Sequence, residues 1–333
     1  MMVNRWKTIE VFFMVRQRFF ILIFALVLGF VVFLPSTSFA EEILDGVKYY
    51  DINQAKEEYM KGISYGKPSI PVYFTTEQKD EEEIRDLLEE ISRTYPLNSE
   101  TGENLIDMTD SSICNVALSN VSFRIKQING KSYVAATFLL RYRVPDEERV
   151  KTMSQARKIA NQIKANPSFD TDAMKVLAAS QYLMKNVEYD KKLSNETVYT
   201  LDGALIHGKA VCQGYSDAMY VICHYLGIPC RIVFGQGITP QGESELHAWN
   251  IVKLGDSWYY LDTTWEDSLF SGLFNGAESK YVLKGTNSDF AKSHQADVYY
   301  LSDEFKINHP MSDEDFDLDS LSFMEKLSLF LFD

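Results

Sequence analysis

The chain has 333 residues, of which 46% are hydrophobic and 13% aromatic, which excludes a disordered polypeptide and allows one large domain or two modest ones. A formal charge of −14 excludes nucleic acid as a natural partner, because phosphates would repel it, and disfavours tight binding to an anionic cell surface. Cys114, Cys212, Cys223 and Cys230 are too few for a disulfide framework in a chain of this length, and at most one bridge is expected among Cys114, Cys223 and Cys230.

The first 40 residues read as a secretory signal. Arg5, Lys7, Arg16 and Arg18 precede an uncharged apolar run, Phe19 to Leu34, which is 16 residues long and shorter than the roughly 20 needed to span a bilayer as a helix. Pro35 breaks the run, and Ser38-Phe39-Ala40 offers small residues at the positions a signal peptidase inspects, so cleavage is expected after Ala40. The alternative is an uncleaved N-terminal membrane anchor. Loss of the four basic side chains and Glu10 with the leader leaves a mature charge of −17. The expected product is secreted, without stable membrane insertion after cleavage, and cell-wall association is compatible with it.

Residues 41–150 read as an N-terminal α+β accessory region. Ser69 to Thr75 suits a strand, and Asp80 to Tyr95 places Ile84, Leu87, Leu88, Ile91 and Tyr95 at helical spacing, with Pro96 as a stop and Asn98 to Asp110 as a loop. Val116–Ile128 and Ser132–Val144 are β-rich and flank Asn129-Gly130, a dipeptide suited to a two-residue hairpin turn. A second domain is expected over 151–310, entered through helices at about Glu147–Ala165 and Asp172–Asn186. Residues 311–333 form an acidic C-terminal tail in which Phe323 to Phe332 is apolar enough to dock as a short helix.

Chemistry concentrates between Tyr199 and Asp267. Gln213 to Leu226 carries Tyr215, Met219, Ile222, Cys223 and Leu226 on one helical face, and Gly227-Ile228-Pro229 ends it. Cys212 therefore falls at a helix N-terminus, where unpaired N–H groups and the helix dipole favour a thiolate and can steady an oxyanion. Leu246 to Val252 and Trp258 to Asp262 read as two strands around a Gly255-Asp256 turn. A two- or four-residue loop puts Asp262 opposite Trp249, so His247 shares its face as a diagonal neighbour; a three-residue loop would separate them. These are the residue types that nucleophilic acyl chemistry needs: a sulfur that attacks, an imidazole that moves the proton and a carboxylate that orients the imidazole. Gln213, Tyr215 and Trp249 flank these residues and are candidates for a substrate cleft, with packing the favoured role for Tyr215 and Trp249. No cofactor and no metal is expected; His207, Cys212, Cys223, His224 and Cys230 make a poor zinc set, because Cys223 and His224 point to different helix faces and no Cys-x-x-Cys pair exists.

The ordered set Gly208-x-x-x-Cys212-Gln213-Gly214-Tyr215, His247-Ala248-Trp249-Asn250 and Leu261-Asp262-x-Thr264-Trp265-x-Asp267 resembles the bacterial transglutaminase-like superfamily. Val187-Glu188-Tyr189-Asp190 resembles the Tyr-Asp step that precedes the nucleophile helix in those proteins. The resemblance implies an α+β, papain-like core with the Cys-bearing helix packed on an antiparallel sheet. It also implies catalytic roles for Cys212, His247 and Asp262, a protein or peptide substrate and a thioester intermediate. Its members include cross-linking transferases, deamidases and peptidases. A rival expectation from another class is a non-catalytic cell-surface or wall-associated binding module on the same fold.

Overall fold

In the computed structural model, residues 7–13, 42–92, 111, 114–239, 242–266 and 279–332 are described. They fall into two compact units, with residues 116–141 grouped with the N-terminal part and residues 111, 114, 115 and those from 142 onward forming the second.

The first unit contains β1 (Lys7–Phe13), β2 (Glu42–Leu44), β3 (Val47–Tyr49), helix α1 (Ile52–Ser64), β4 (Ser69–Thr76), α2 (Glu81–Ser92), β5 (Val116–Ile128) and β6 (Lys131–Tyr142). Its sheet runs in the order β1-β5-β6-β4. Asn129 and Gly130 both adopt positive φ, as the expected two-residue turn requires. Alternation on β4 and β6 buries Ile70, Val72, Phe74, Val134, Ala136 and Phe138. The Asp51 side chain caps α1 by accepting from the amides of Asn53 and Gln54. On α2, Ile84, Leu88 and Ile91 are buried, the stripe expected from their spacing. Within the expected leader, Lys7–Phe13 pairs antiparallel with β5, so cleavage after Ala40 would remove β1 and leave β5 at the sheet edge. The apolar run Phe19–Leu34, the cleavage point and the expected Asn98–Asp110 loop lie outside the described residues. No helix among the described residues is long and apolar enough to cross a membrane.

The second unit begins with α3 (Asp146–Ala165) and α4 (Asp172–Asn186), followed by the two-residue strands β7 (Glu188–Tyr189) and β8 (Lys209–Ala210) and by α5 (Cys212–Leu226). Next come β9 (Cys230–Ile238), β10 (Ser244–Leu254), β11 (Ser257–Leu261), β12 (Val282–Lys284), β13 (His294–Ala296) and α6 (Phe323–Leu331). The sheet order is β12-β11-β10-β9-β13, and every neighbouring pair is antiparallel. Helices α3 to α5 bury Ile159, Ile163, Met174, Leu177, Leu183, Met219 and Ile222 against sheet residues such as Ile232, Ala248, Val252 and Leu261. A second cluster, containing Val233, Trp249, Ile251, Trp258 and Phe290, covers the residues of opposite parity on the sheet. The division of the chain falls at 141/142 because α3 buries Ala156, Ile159, Ala160 and Ile163 in the helical core of this unit. The tail is held in place as well. Lys284 pairs with Asp315, the Gly285 amide donates to Asp315 Oδ1, and Leu329 of α6 is fully buried.

Helix α5 is the axis of this unit. Gly227 closes it in the left-handed conformation at φ 82°, with the Gly227 and Ile228 amides donating to His224 and Cys223 carbonyls. Its first turn lies hard against the chain before it: a Cβ on Gly214 would come within 2.5 Å of the Val198 carbonyl oxygen and 3.0 Å of that of Thr200. Asp217, buried on the same helix, accepts from the Leu201 amide and so ties that preceding turn to α5. Because backbone and not a flexible side chain blocks the space, Gly214→Ala is expected to lower unfolding stability by about 1–3 kcal/mol, read as a reduced urea midpoint at unchanged m-value.

Candidate active site

Cys212 is the first residue of α5 and is half-buried. Its position is set by the segment that leads into it. Strands β7 and β8 run parallel with Tyr189 opposite Ala210, and the amides of Glu188 and Asp190 donate to the carbonyls of Gly208 and Ala210. Gly208 makes the entry turn at φ 62°, and the Val211 amide donates to the Val198 carbonyl. The N-cap residue, Val211, makes no side-chain cap bond, so no capping side chain claims the first-turn N–H groups beside the sulfur.

His247 sits near the start of β10. The β10–β11 pairing runs Leu254↔Ser257 through Asn250↔Leu261, a two-residue Gly255-Asp256 loop with Gly255 at φ 61°. That is the register in which Asp262 follows in line with Trp249 and shares the face of His247. The contact forms: His247 Nε2 lies 2.8 Å from Asp262 Oδ2, and both side chains are almost fully buried. The Cys212 side chain is close enough to His247 to help raise its imidazole. Since Nε2 is engaged by the carboxylate, Nδ1 is the ring nitrogen that addresses the sulfur.

Asp262 is saturated with donors. Oδ1 accepts from the amides of Thr264 at 2.8 Å and Trp265 at 3.3 Å, while Oδ2 accepts from His247 and, at 3.0 Å, from His294 Nε2. Burial works against its charge, but His247 and His294 hold the carboxyl well below the ordinary carboxylate range. Burial alone would depress His247; the charge and hydrogen bond of Asp262, with help from Cys212, override it and raise the imidazole to about 10.

Trp265 stacks on the His247 ring with centroids 4.6 Å apart. Gly237 on β9 makes this packing feasible, since a Cβ there would approach Trp265 to 2.8 Å and the His247 Cβ to 3.1 Å. Asn250 secures β10 to α5 by donating to the Ser216 carbonyl. Glu266, also buried, accepts from the Ser279 hydroxyl and from the amides of Lys280 and Tyr281, which fixes the chain on either side of residues 267–278.

Of the cleft candidates, Tyr215 and Trp249 take the packing role. The Tyr215 hydroxyl donates to the Val187 carbonyl from a buried position, and Trp249 is 1% exposed within the aromatic cluster. Inward helix and strand positions dictate both placements. Gln213 stays half-buried with its amide donating to the Cys114 carbonyl. Tyr189, by contrast, is partly exposed; burial and then the charge of Cys212 push its phenol well above the ordinary tyrosine range, so it remains a neutral donor near the sulfur. All four cysteines are free thiols, with Cys223 and Cys230 in the core. Asp267 lies outside the described residues. His294 has no sequence motif around it and was not among the expected site residues. The nearest clue is the scarcity of histidine, five in the chain. Among the described residues, His247, Asp262 and His294 are also the set with metal-ligand composition, their ligand atoms lying within 4.8 Å of one another. The two Oδ2 contacts have hydrogen-bond lengths, and Oδ1 accepts from the Thr264 and Trp265 amides.

A helix-start thiol, a strand imidazole and a buried carboxylate on an antiparallel sheet define an α+β core of the papain-like type. Residues 156–263 match the family model of the transglutaminase-like superfamily. The superfamily consists typically of cysteine peptidases and acyltransferases. The kyphoscoliosis peptidases of human and mouse are each 28% identical to the chain over 149 residues, which is 41% of this chain and 21% of theirs. The chain thus spans about a fifth of the length of these curated relatives. Among solved structures, similarity is found to a TGase (18% identity, 59% of this chain and 51% of that one, TM-score 0.31) and to the periplasmic domain of TgpA from Pseudomonas aeruginosa (15% identity, 46% and 73%, TM-score 0.26).

The His247–Asp262 contact has a defined pH signature. A raised histidine contributes stability that is fully present below its ordinary value of 6.5 and is lost as pH climbs through about 10. A depressed aspartate contributes stability that is present above its ordinary value of 3.8 and is lost as pH falls below it. The stability difference between wild type and Asp262→Asn, measured by urea unfolding, is therefore expected to be largest between about pH 4 and 6.5 and to shrink toward pH 10.

Proposed function

We propose that the protein is an exported cysteine enzyme that cleaves or transfers the acyl group of protein amide bonds, with Cys212 as nucleophile, His247 as proton carrier and Asp262 as its orienting base. The observation that carries this reading is the buried His247–Asp262 contact at 2.8 Å, with the helix-start Cys212 acting on the same imidazole. In the reaction, the Cys212 thiolate attacks the carbonyl carbon and the C–O π pair moves onto oxygen. The first-turn N–H groups of α5 are placed to receive that oxyanion. As the C–N bond breaks, His247 gives its proton to the departing amine or ammonia, leaving a thioester. Water then attacks the thioester while His247 accepts its proton, and the acid and the thiolate are released. A lysine amine in place of water yields a cross-link.

Hydrolysis is the favoured outcome, because water is always present and transfer requires a cleft that excludes it. Export is supported by the basic and apolar order of residues 5–34 and the small residues before Glu41. A binding module on the same fold would give no reason to bury a carboxylate against the histidine that addresses a helix-start sulfur.

The test incubates the full chain with a glutamine-rich protein and a labelled primary amine. New fragments indicate proteolysis, ammonia without label indicates deamidation, and incorporated label indicates transfer. Every signal is expected to vanish in Cys212→Ala and to fall by at least about 10³-fold in His247→Ala. A Cys212 that iodoacetamide alkylates no faster at neutral pH than a free peptide cysteine would return the protein to the binding-module reading.

A further inference from the structure

Asp262 serves two imidazoles, and the proposed chemistry uses one. His294 is the first residue of β13, where it lies opposite Gly237 of β9, and its side chain has no solvent exposure. Its ring stacks on Phe290 at 3.9 Å between centroids and 16° between planes, so the plane of the imidazole is set by packing. Nδ1 is 2.9 Å from the Ser293 hydroxyl, which can donate to it, so that a neutral ring carries its N–H on Nε2. With Nδ1 occupied by this local bond, Nε2 faces Asp262 Oδ2 at 3.0 Å. A buried histidine placed this way costs conformational freedom and desolvation that a leucine in the same cluster would avoid.

We infer that His294 is a positioning residue of the proposed catalytic site, holding Asp262 through the same oxygen that His247 contacts and setting how strongly that carboxylate retains the His247 proton. The inference rests on the function proposed above. Its physical basis is competition for one oxygen. An N–H donated by His294 to Oδ2 withdraws part of the carboxylate charge that would otherwise act on His247. Together with the two amides on Oδ1, it also prevents the carboxylate from rotating. An imidazole that carries a proton during catalysis must also release it to the departing amine, and a carboxylate with one donor fewer would make it too basic. The other titratable groups around the cluster are Cys212 from α5, Tyr189 of β7, Glu245 of β10, and Glu266 and Tyr281 ahead of β12. None of them is altered by substituting His294.

The test reads the His247 proton and not only activity. Full-length protein labelled with ¹⁵N-histidine is titrated by NMR, with His294→Phe and His294→Gln beside the wild type. Phenylalanine keeps an aromatic ring against Phe290 and removes the donor; glutamine loses the ring and keeps an N–H able to reach Oδ2. His294→Phe is expected to raise the His247 midpoint by about one pH unit, while His294→Gln restores at least half of that shift. An unchanged midpoint in the Phe variant overturns the inference, as does a shift that the Gln variant shows in full, which would mark lost packing alone. If the Phe variant does not fold, the wild type decides: two downfield Nε2–H resonances are expected, one from each ring on Asp262, and a single one overturns the inference. The two readings fail separately. Slow alkylation of wild-type Cys212 would defeat the proposed chemistry, whereas the His247 titration reports on His294 in either case.

Discussion

One carboxylate organises the second unit. Asp262 is buried, charged and surrounded by four donors from three stretches of chain: His247 on β10, the Thr264 and Trp265 amides just after β11, and His294 at the start of β13. A carboxylate so far from water is tolerated only when its lone pairs are satisfied. Each donor is thereby fixed in turn, which converts the carboxylate into a template for the geometry around it. The imidazole facing Cys212 inherits its orientation from this arrangement, and the sulfur inherits its own from the N-terminus of α5.

The surroundings serve the same geometry through close packing. Small residues lie where large ones must approach: Gly237 admits Trp265 against His247, and Gly214 lets the first turn of α5 rest on the backbone of residues 198–200. Asn250 and Asp217 add directional bonds between α5 and its neighbours. Aromatic residues of opposite parity on the sheet, Trp249 and Trp258 among them, cover the side away from the helices. The site is therefore rigid because the sheet is packed on both faces, with the polar groups of the cluster confined to its centre.

Much of this was legible in the chain. The bounds of α4 follow from its apolar spacing, and the hairpin register follows from Gly255-Asp256, because a two-residue turn leaves strand pairing no freedom. Nearness in sequence to a site residue says nothing about depth. Tyr215 and Trp249 stand close to Cys212 and His247 along the chain, yet their side chains enter the core, since alternation and helical phase carry them inward. The tail reads as acidic, but Asp315 finds Lys284 and the Gly285 amide across the fold.

By itself, the sequence determined the chemical types and the local frames that present them: a thiol at a helix start, and an imidazole and a carboxylate on one face of a tight hairpin. Those are consequences of short-range geometry, in which a few residues set turn, register and parity. Only the tertiary structure decided that His294, 32 residues beyond Asp262, shares its oxygen. It also decided that Glu266 anchors the chain at Ser279–Tyr281 and that Tyr189 stands near the sulfur. Such contacts join segments whose separation along the chain is unrelated to their distance in space, and they come into being only when the sheet and helices close on a common core.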